Sequence, residues 1–277
     1  MSSVILDWSG TVLDGLSRAP VVASIGAFKK HGIDITMQEA RLPMGLPKDR
    51  HICKILQMPT VEKKWRIVHG RSPDLVKDTQ TLFKDLLPIQ LEILSQKEFI
   101  KPLPKVIETL KKLKRDGLKI GLTTGFNSEM TDTLLNNSRD INLRSYFDAI
   151  IPADHPNIER GRPYPDGIWE NLQRMETNNV DECIKVDDTQ AGLMEGQSAG
   201  VWTVGLSKYS NFMGNYVETM EDLHRMEKER PREYHQLIEA SRTHLKAKDP
   251  DYVVETLDQV PEVIAHINQR LNRYQKI

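Results

Sequence analysis

Short apolar runs that alternate with amphipathic helical patterns restrict the fold of this chain more than any other feature. After a first run at residues 4–6, they recur at 119–125, 148–154, 182–188, 201–206 and 251–257. Runs of this length that are apolar on both faces are typical of parallel strands covered by helices on both sides of a sheet. We therefore predict an α/β fold with a Rossmann-like parallel sheet.

The segment from residue 16 to about 97 lacks strand signals and consists of stretches with helical periodicity. One of these helical stretches is predicted to run from residue 36 to 56. Because the segment follows the first strand directly, we predict that 16–97 form an inserted α-helical cap domain. Residues 1–15 and 98–277 then form the core. The charged helical pattern over 207–247 is expected on the surface, before the last strand.

Composition and charge exclude several classes of function. The 277 residues carry a net charge of −1, which gives no general affinity for nucleic acid. The two cysteines, Cys53 and Cys183, are far apart and match no metal spacing, which favours a reducing compartment. The first residues do not resemble a signal peptide, and no apolar stretch approaches the roughly 20 residues that span a bilayer. We expect a cytoplasmic protein that does not bind a membrane.

Three predicted strands end in groups that suit phosphate and metal chemistry. Asp7 ends one strand, Thr124 and Gly125 end another, and Asp187 with Asp188 ends a third. Ligands of an open α/β sheet bind at the carboxyl ends of its strands, so these groups are expected to meet. Carboxylates suit Mg²⁺, and a hydroxyl with nearby backbone N–H groups suits phosphate. Taken singly, each of these motifs is more often a turn or a helix start.

Four short motifs, "DWSGT", "TTG", "GRPYP" and "KVDDT", resemble those of the haloacid dehalogenase superfamily. Longer stretches, among them "EARLPMGLPKDRH" and "KVDDTQAGLMEGQSAGVWTVGL", resemble the phosphonoacetaldehyde hydrolase (phosphonatase) family within it. The resemblance covers nearly the whole chain, including the predicted cap, which is the part that differs most between members of the superfamily. It implies a haloacid dehalogenase-like core and a small-molecule substrate.

The resemblance implies roles for the residues at the strand ends. Asp7 corresponds to the nucleophile, which attacks phosphorus and forms an aspartyl phosphate. The implied cofactor is Mg²⁺, held by Asp7, the backbone carbonyl of Ser9 and Asp188. The positions that match phosphate binding are Thr124, Gly125 and Arg162.

Ser9 distinguishes this chain from the phosphatases of the superfamily, which carry a second aspartate at that position. That aspartate protonates a leaving oxygen, whereas the phosphorus of a phosphonate is bonded to carbon. A phosphonate therefore needs an electron sink on its carbon side instead. The imine of a lysine with the substrate aldehyde is such a sink, because cleavage of the carbon–phosphorus bond then leaves an enamine.

The imine-forming lysine of the family corresponds to Lys48 in "MGLPKDRH". Most lysines are solvated surface residues, but Lys48 follows an apolar stretch with Met44, a substrate-binding position by the resemblance. Apolar surroundings favour the neutral amine that attacks an aldehyde. His51 is expected on the same helix face, at a family position suited to proton transfer. Phe126 stands where the family has a tyrosine.

The resemblance implies Mg²⁺-dependent hydrolysis of phosphonoacetaldehyde to acetaldehyde and phosphate, in a homodimer formed through the cap. Three alternatives stay open. A phosphatase acting on a small phosphate ester is disfavoured by Ser9. A metal-independent dehalogenase is disfavoured by Asp187 and Asp188. A non-catalytic phosphonate-binding homologue gains some support from Phe126.

Overall fold

A parallel sheet of six strands forms the centre of the computed structural model, which describes residues 1–274. The strands lie in the order β3-β2-β1-β4-β5-β6, and every neighbouring pair is parallel. They are β1 (Ser3–Leu6), β2 (Lys119–Thr123), β3 (Ala149–Ile151), β4 (Cys183–Asp187), β5 (Trp202–Leu206) and β6 (Tyr252–Val254). Each strand falls on an apolar run that predicted it, and the α/β fold with a Rossmann-like sheet is confirmed.

Helices cover the sheet and fill the long segment between β1 and β2. In chain order they are α1 (Arg18–Lys30), α2 (Met37–Arg41), α3 (Lys48–Leu56), α4 (Pro59–His69), α5 (Lys77–Leu94), α6 (Lys97–Ile100), α7 (Val106–Arg115), α8 (Ser128–Asn137), α9 (Asp166–Arg174), α10 (Gln190–Ala199), α11 (Met220–Glu229), α12 (Pro231–Lys246) and α13 (Val260–Tyr274). The inserted helical cap is thus part of the fold, as the sequence predicts. The domain boundaries at 16–97 stay a prediction.

β1 lies at the middle of the sheet and is buried on both faces. Its last residue, Leu6, is level with Leu122 of β2 on one side and with Val186 of β4 on the other. The chain builds the sheet outward from β1 to β3 and then crosses back to β4, so the direction of winding reverses beside β1. Ligands of such sheets bind at this reversal, outside the carboxyl ends of the strands.

The helix predicted over 36–56 is wrong, because the structure divides this stretch into α2 and α3. Residues 42–47 between them form a loop that we call the cap loop. Pro43 and Pro47 lack the N–H group that a helix interior needs, and Gly45 has a positive φ of 92°. Pro47 is the N-cap residue of α3, so Lys48 is the first residue of that helix.

The charged segment before the last strand forms α11 and α12, as predicted. These helices bury apolar side chains such as Leu223 and Ile238 and expose much of their charged surface. Within residues 1–274, no helix combines the length and the apolar character that crossing a bilayer requires.

Candidate active site

A small cavity lies at the carboxyl edge of the sheet, beneath the cap loop. Seven of the nine site residues predicted from the sequence line it: Asp7, Ser9, Met44, Lys48, Thr124, Gly125 and Arg162. The other two, Asp188 and His51, are buried close to it without lining it.

The cap loop closes the cavity by direct contact with the core. Gly45 lies so close to Thr189 that a Cβ atom at position 45 would be 2.5 Å from its hydroxyl oxygen. A Cβ atom on Gly125 would likewise be 2.5 Å from the carbonyl oxygen of Leu46. Two glycines, one on each side, therefore allow cap and core backbones to approach closely.

Asp7 follows β1 directly and is only 6% exposed. Its Oδ1 accepts a charged hydrogen bond from Nη2 of Arg162 at 2.9 Å. Burial raises the pKa of Asp7 to about 6, with a further contribution from the negative charge of Asp187; the charges of Arg162 and Lys185 act in the opposite direction. The carboxyl group of Asp7 lines the cavity, and additional positive charge beside it would favour its ionised form.

Three buried carboxylates meet at the edge of the sheet. Asp7, Asp187 and Asp188 each offer an oxygen, and these oxygens lie within 4.8 Å of one another. Burial and the charges of the other two raise the pKa of Asp188 well above its ordinary value. A divalent cation would relieve this repulsion, and hard carboxylate oxygens are the ligands that Mg²⁺ prefers. The donor set therefore fits a magnesium ion.

Arg162 is a buried cation fixed by carboxylates on several sides. Besides Asp7, its guanidinium lies 2.9 Å from Glu195 and 3.4 Å from Asp187. Burial opposes its charge, but the charges of Glu195, Asp7 and Asp187 outweigh burial and raise the pKa of Arg162 above its ordinary value. Nη2 also donates to the backbone oxygen and the hydroxyl of Thr123 at 2.8 Å. The site thus holds a permanent positive charge beside the carboxylate of Asp7.

Sequence reasoning missed Lys185 and Glu195, which complete the buried charge network. Lys185 has no exposed surface, and its Nζ lies 3.1 Å from Asp187, 3.6 Å from Glu195 and 2.8 Å from the Thr123 hydroxyl. The only signal in the sequence was a charged residue in the apolar run "CIKV". Glu195 lies inside α10, where nothing in the helical pattern distinguishes it.

Thr124 lies in the turn between β2 and α8. Its hydroxyl oxygen accepts a hydrogen bond from the backbone N–H of Phe126 at 3.1 Å, which fixes the side chain. The hydroxyl proton is then free to be donated to an anion in the cavity.

Lys48 enters the cavity from the cap and is 5% exposed. Burial lowers the pKa of Lys48 to about 8, while the negative charges of Asp7 and Asp14 act against this shift. Its Nζ lies 5.1 Å from the centre of the Phe126 ring. Within the described residues, no hydrogen bond or ion pair holds this amine. A neutral fraction is therefore present near pH 7.

His51 lies one turn after Lys48 and is completely buried. Its Nε2 donates to the backbone oxygen of Ala40 at 2.8 Å, whereas its Nδ1 has no hydrogen-bond partner among the described residues. Burial, together with the charge of Lys48, lowers the pKa of His51 to about 3. The imidazole is thus neutral, and it joins α3 to α2.

Comparison with known proteins fits this geometry. The family model of haloacid dehalogenase-like hydrolases matches residues 4–206. A phosphonoacetaldehyde hydrolase of Pseudomonas putida is 34% identical over 278 residues, which cover 99% of this chain and 94% of the relative. The chain belongs to the phosphonoacetaldehyde hydrolase family. A member from Pseudomonas aeruginosa is 32% identical, with 99% of this chain and 94% of that protein covered.

Solved structures agree with the family. The crystal structure of a phosphonoacetaldehyde hydrolase-like protein from Oleispira antarctica superposes with a TM-score of 0.90 at 32% identity, covering 98% of this chain and 94% of that one. A β-phosphoglucomutase from Clostridium difficile has a TM-score of 0.66 at 17% identity, covering 98% and 99%, and is alike in fold alone. As a member of the phosphonoacetaldehyde hydrolase family, the protein is an enzyme, a hydrolase.

Proposed function

We propose that the protein cleaves the carbon–phosphorus bond of phosphonoacetaldehyde, giving acetaldehyde and phosphate with Mg²⁺ as cofactor. The observation that carries this proposal is that Lys48 and Asp7 face the same cavity, one from the cap and one from the core. An amine with a lowered pKa thus lies opposite a carboxylate nucleophile. The relatives named phosphonoacetaldehyde hydrolase support the same substrate.

The reaction uses each of these two groups once as a nucleophile. The neutral amine of Lys48 adds to the aldehyde carbon and water leaves, which gives an imine whose nitrogen takes up a proton. Asp7 then attacks phosphorus, and the electron pair of the carbon–phosphorus bond moves to the imine nitrogen as an enamine forms. Protonation of the enamine carbon and hydrolysis of the imine release acetaldehyde. Water hydrolyses the aspartyl phosphate and restores Asp7.

Positive charge around the phosphorus would stabilise the transferring group. Arg162 and Thr124 bind its oxygens in this proposal, and Arg162 already holds its charge next to Asp7. Held by Asp7, Asp188 and the backbone oxygen of Ser9, a magnesium ion would supply further positive charge to the same oxygens.

Ser9 favours a phosphonate over a phosphate ester. It lines the cavity two residues after Asp7 and carries no acid that could protonate a leaving oxygen. Cleavage of the carbon–phosphorus bond into an enamine needs no such proton, because the imine nitrogen takes the electrons. A phosphatase acting on a small ester is therefore the weaker candidate.

The proposal is tested with Lys48→Arg and a matched control, Lys54→Arg, which changes an exposed lysine of the same helix. The native chain and Lys54→Arg are expected to release acetaldehyde from phosphonoacetaldehyde with Mg²⁺, and Lys48→Arg is not. Borohydride added with substrate reduces the imine, so intact mass should show a permanent adduct on the native chain and none on Lys48→Arg.

Other outcomes separate the alternatives. Release by native protein and Lys48→Arg alike, without an adduct, would remove the lysine from the mechanism. Hydrolysis of p-nitrophenyl phosphate without acetaldehyde release would favour the phosphatase. Binding of phosphonoacetaldehyde without any product would favour the non-catalytic homologue.

The homodimer and the cytoplasmic location stay predictions. Gln90, Ile93 and Leu94 of α5 are buried within the protein, so the stretch "PIQLEIL" presents little of its apolar surface to a partner. Ile67 and Val76, in contrast, are 74% and 66% exposed at the ends of neighbouring cap helices. We propose that these two exposed side chains contribute to a dimer. Light scattering should then give twice the chain mass, and Ile67→Glu should lower it.

A further inference from the structure

Arg41 is a charged side chain of the cap that is buried against the core. It ends α2, and it is 1% exposed. Its Nη1 donates to the backbone oxygen of Leu16 and, at 3.0 Å, to Oδ1 of Asn211. Leu16 precedes α1, whereas Asn211 follows β5. One guanidinium thus joins three segments that are far apart in sequence.

Asn211 returns this contact and extends it to the active site. Its Nδ2 donates to the backbone oxygen of Arg41 at 3.1 Å, which makes the pair reciprocal. Its backbone N–H donates to Oδ2 of Asp188 at 2.8 Å. A continuous line of hydrogen bonds therefore runs from the last residue of α2 to a carboxylate of the proposed metal site.

The buried surroundings of the Arg41 guanidinium destabilise the fold. Its Nε and Nη2 have no hydrogen-bond partner among the described residues. A Cβ atom on Gly214 would collide with the guanidinium, so the core has room for Arg41 only because that residue lacks a side chain. Since a buried charge with incomplete hydrogen bonding destabilises a fold, this placement indicates a role beyond stability.

We propose that Arg41 is a positioning residue that couples docking of the cap to the orientation of Asp188. With the cap docked, Arg41 holds Asn211, and Asn211 directs the Asp188 carboxylate. When the cap undocks, the hydrogen bonds between Arg41 and Asn211 break and the Asp188 carboxylate loses its orientation. Cap docking and metal binding at Asp188 therefore favour each other. The inference rests on the proposed function, because it takes Asp188 as a metal ligand.

The test measures binding of Mn²⁺ alone, by the electron paramagnetic resonance signal of the free ion, without substrate or turnover. Arg41→Gln is expected to weaken Mn²⁺ binding about tenfold, a typical size for coupling between sites. Arg41→Lys keeps the charge and one donor, and is expected to restore part of the affinity. The control is Arg66→Gln on α4, whose side chain is 62% exposed. It removes the same charge from the cap and should bind Mn²⁺ as the native chain does.

A second variant, Asn211→Ala, keeps the backbone N–H that reaches Asp188 but removes the reciprocal pair with Arg41. If thermal melting shows that Arg41→Gln does not fold, Mn²⁺ binding is measured on Asn211→Ala instead. Both single variants should weaken Mn²⁺ binding by similar factors. The double variant should be no weaker than either, because both changes break the same line.

Unchanged Mn²⁺ affinity in folded Arg41→Gln and Asn211→Ala would overturn the proposal while leaving the metal site intact. A double variant whose loss is the product of the two single losses would also overturn it, because the two residues would then act separately. If the native chain binds no Mn²⁺, the inference fails together with the metal part of the proposed function. The borohydride adduct on Lys48 still tests the imine part by itself.

Discussion

Lys48 and Lys185 are both buried lysines of the same site, but their surroundings are opposite. Lys185 comes from the middle of β4, and Asp187, Glu195 and the Thr123 hydroxyl surround its amine at 2.8–3.6 Å. Lys48 comes from the first turn of α3 in the cap, and its amine lies against the ring of Phe126.

The difference shows how packing gives one residue type two roles. The Lys185 amine is committed to three acceptors, so it serves to hold the carboxylates in place. The Lys48 amine has no ion pair or hydrogen bond within the described residues, and burial lowers its pKa to about 8. It is therefore the amine of this pair that is available to attack an aldehyde.

Replacing each lysine by methionine gives the largest expected contrast. Lys48→Met should lose catalysis by a factor on the order of 10⁴ or more, as is typical for a covalent nucleophile. It should also raise the free energy of unfolding at pH 7 by about 2 kcal/mol, because it removes a charge that burial disfavours. This gain should shrink as pH rises toward the ordinary lysine pKa of 10.5.

Lys185→Met, in contrast, should lower the free energy of unfolding. It leaves Asp187 and Glu195 with one cation fewer, and breaking a buried ion pair costs roughly 3–5 kcal/mol. Urea unfolding of both variants measures the two effects. Equal destabilisation by the two changes would mean that Lys48 is held as firmly as Lys185, and the contrast would be wrong.

Asp7→Asn should abolish turnover by a similar factor yet stabilise the fold. The folded-state pKa of Asp7, about 6, is above its ordinary value of 3.8, so ionisation of Asp7 lowers stability progressively between pH 3.8 and 6, and the loss is complete above pH 6. At pH 8 without metal, the variant should gain about 2 kcal/mol. The gain should shrink as pH falls from 6 to 4, because the folded side chain is then mostly protonated, and only a small part of it should be left at pH 4. Thermal melting at pH 8 and pH 4 measures this, and a loss of stability at pH 8 would contradict it.

The dependence of kcat/KM on pH should reflect the same two groups. The proposed mechanism requires neutral Lys48 and ionised Asp7, so activity is expected to rise about tenfold per pH unit between pH 6 and 8 and to level off above 8. Below pH 6 the protonation of Asp7 adds a second factor of about ten per unit. A profile that is flat from pH 6 to 8 would contradict a free amine at Lys48.

Phe126→Leu should have the smallest effect, a shift of that profile. The aromatic face favours the charged form of Lys48 by about 0.5–1 kcal/mol. Its removal should therefore lower the pKa of Lys48 and move the limb of rising kcat/KM that levels off near pH 8 to lower pH, by about half a pH unit. Tyr164→Leu, at a half-exposed ring that contacts Arg160 and Arg50, is the control and should leave the limb unchanged. An unshifted limb in Phe126→Leu would show that the ring does not tune the amine.

The parts of the site that sequence could predict are those fixed by local pattern. Apolar runs placed the strands, and the carboxyl ends of neighbouring parallel strands must share one edge, which brought Asp7, Thr124 and Asp187 together. The break in the predicted helix at 36–56 was missed, although Pro43 and Pro47 signalled it. Glu195 carried no signal, because a glutamate on an amphipathic helix is ordinarily solvated.

By itself, the sequence determined the order of strands and helices, the inserted cap and the chemical types gathered at the sheet edge. Only the tertiary structure decided which of those charges are neutralised and which are free. Arg162 is fixed by Asp7, Asp187 and Glu195, three residues that lie far from it in sequence. Within the described residues, Lys48 has no hydrogen-bond or ion-pair partner, because the cap loop brings it into the cavity beside Phe126. Pairing and burial depend on contacts between distant segments, and these set the pKa values on which the proposed chemistry depends.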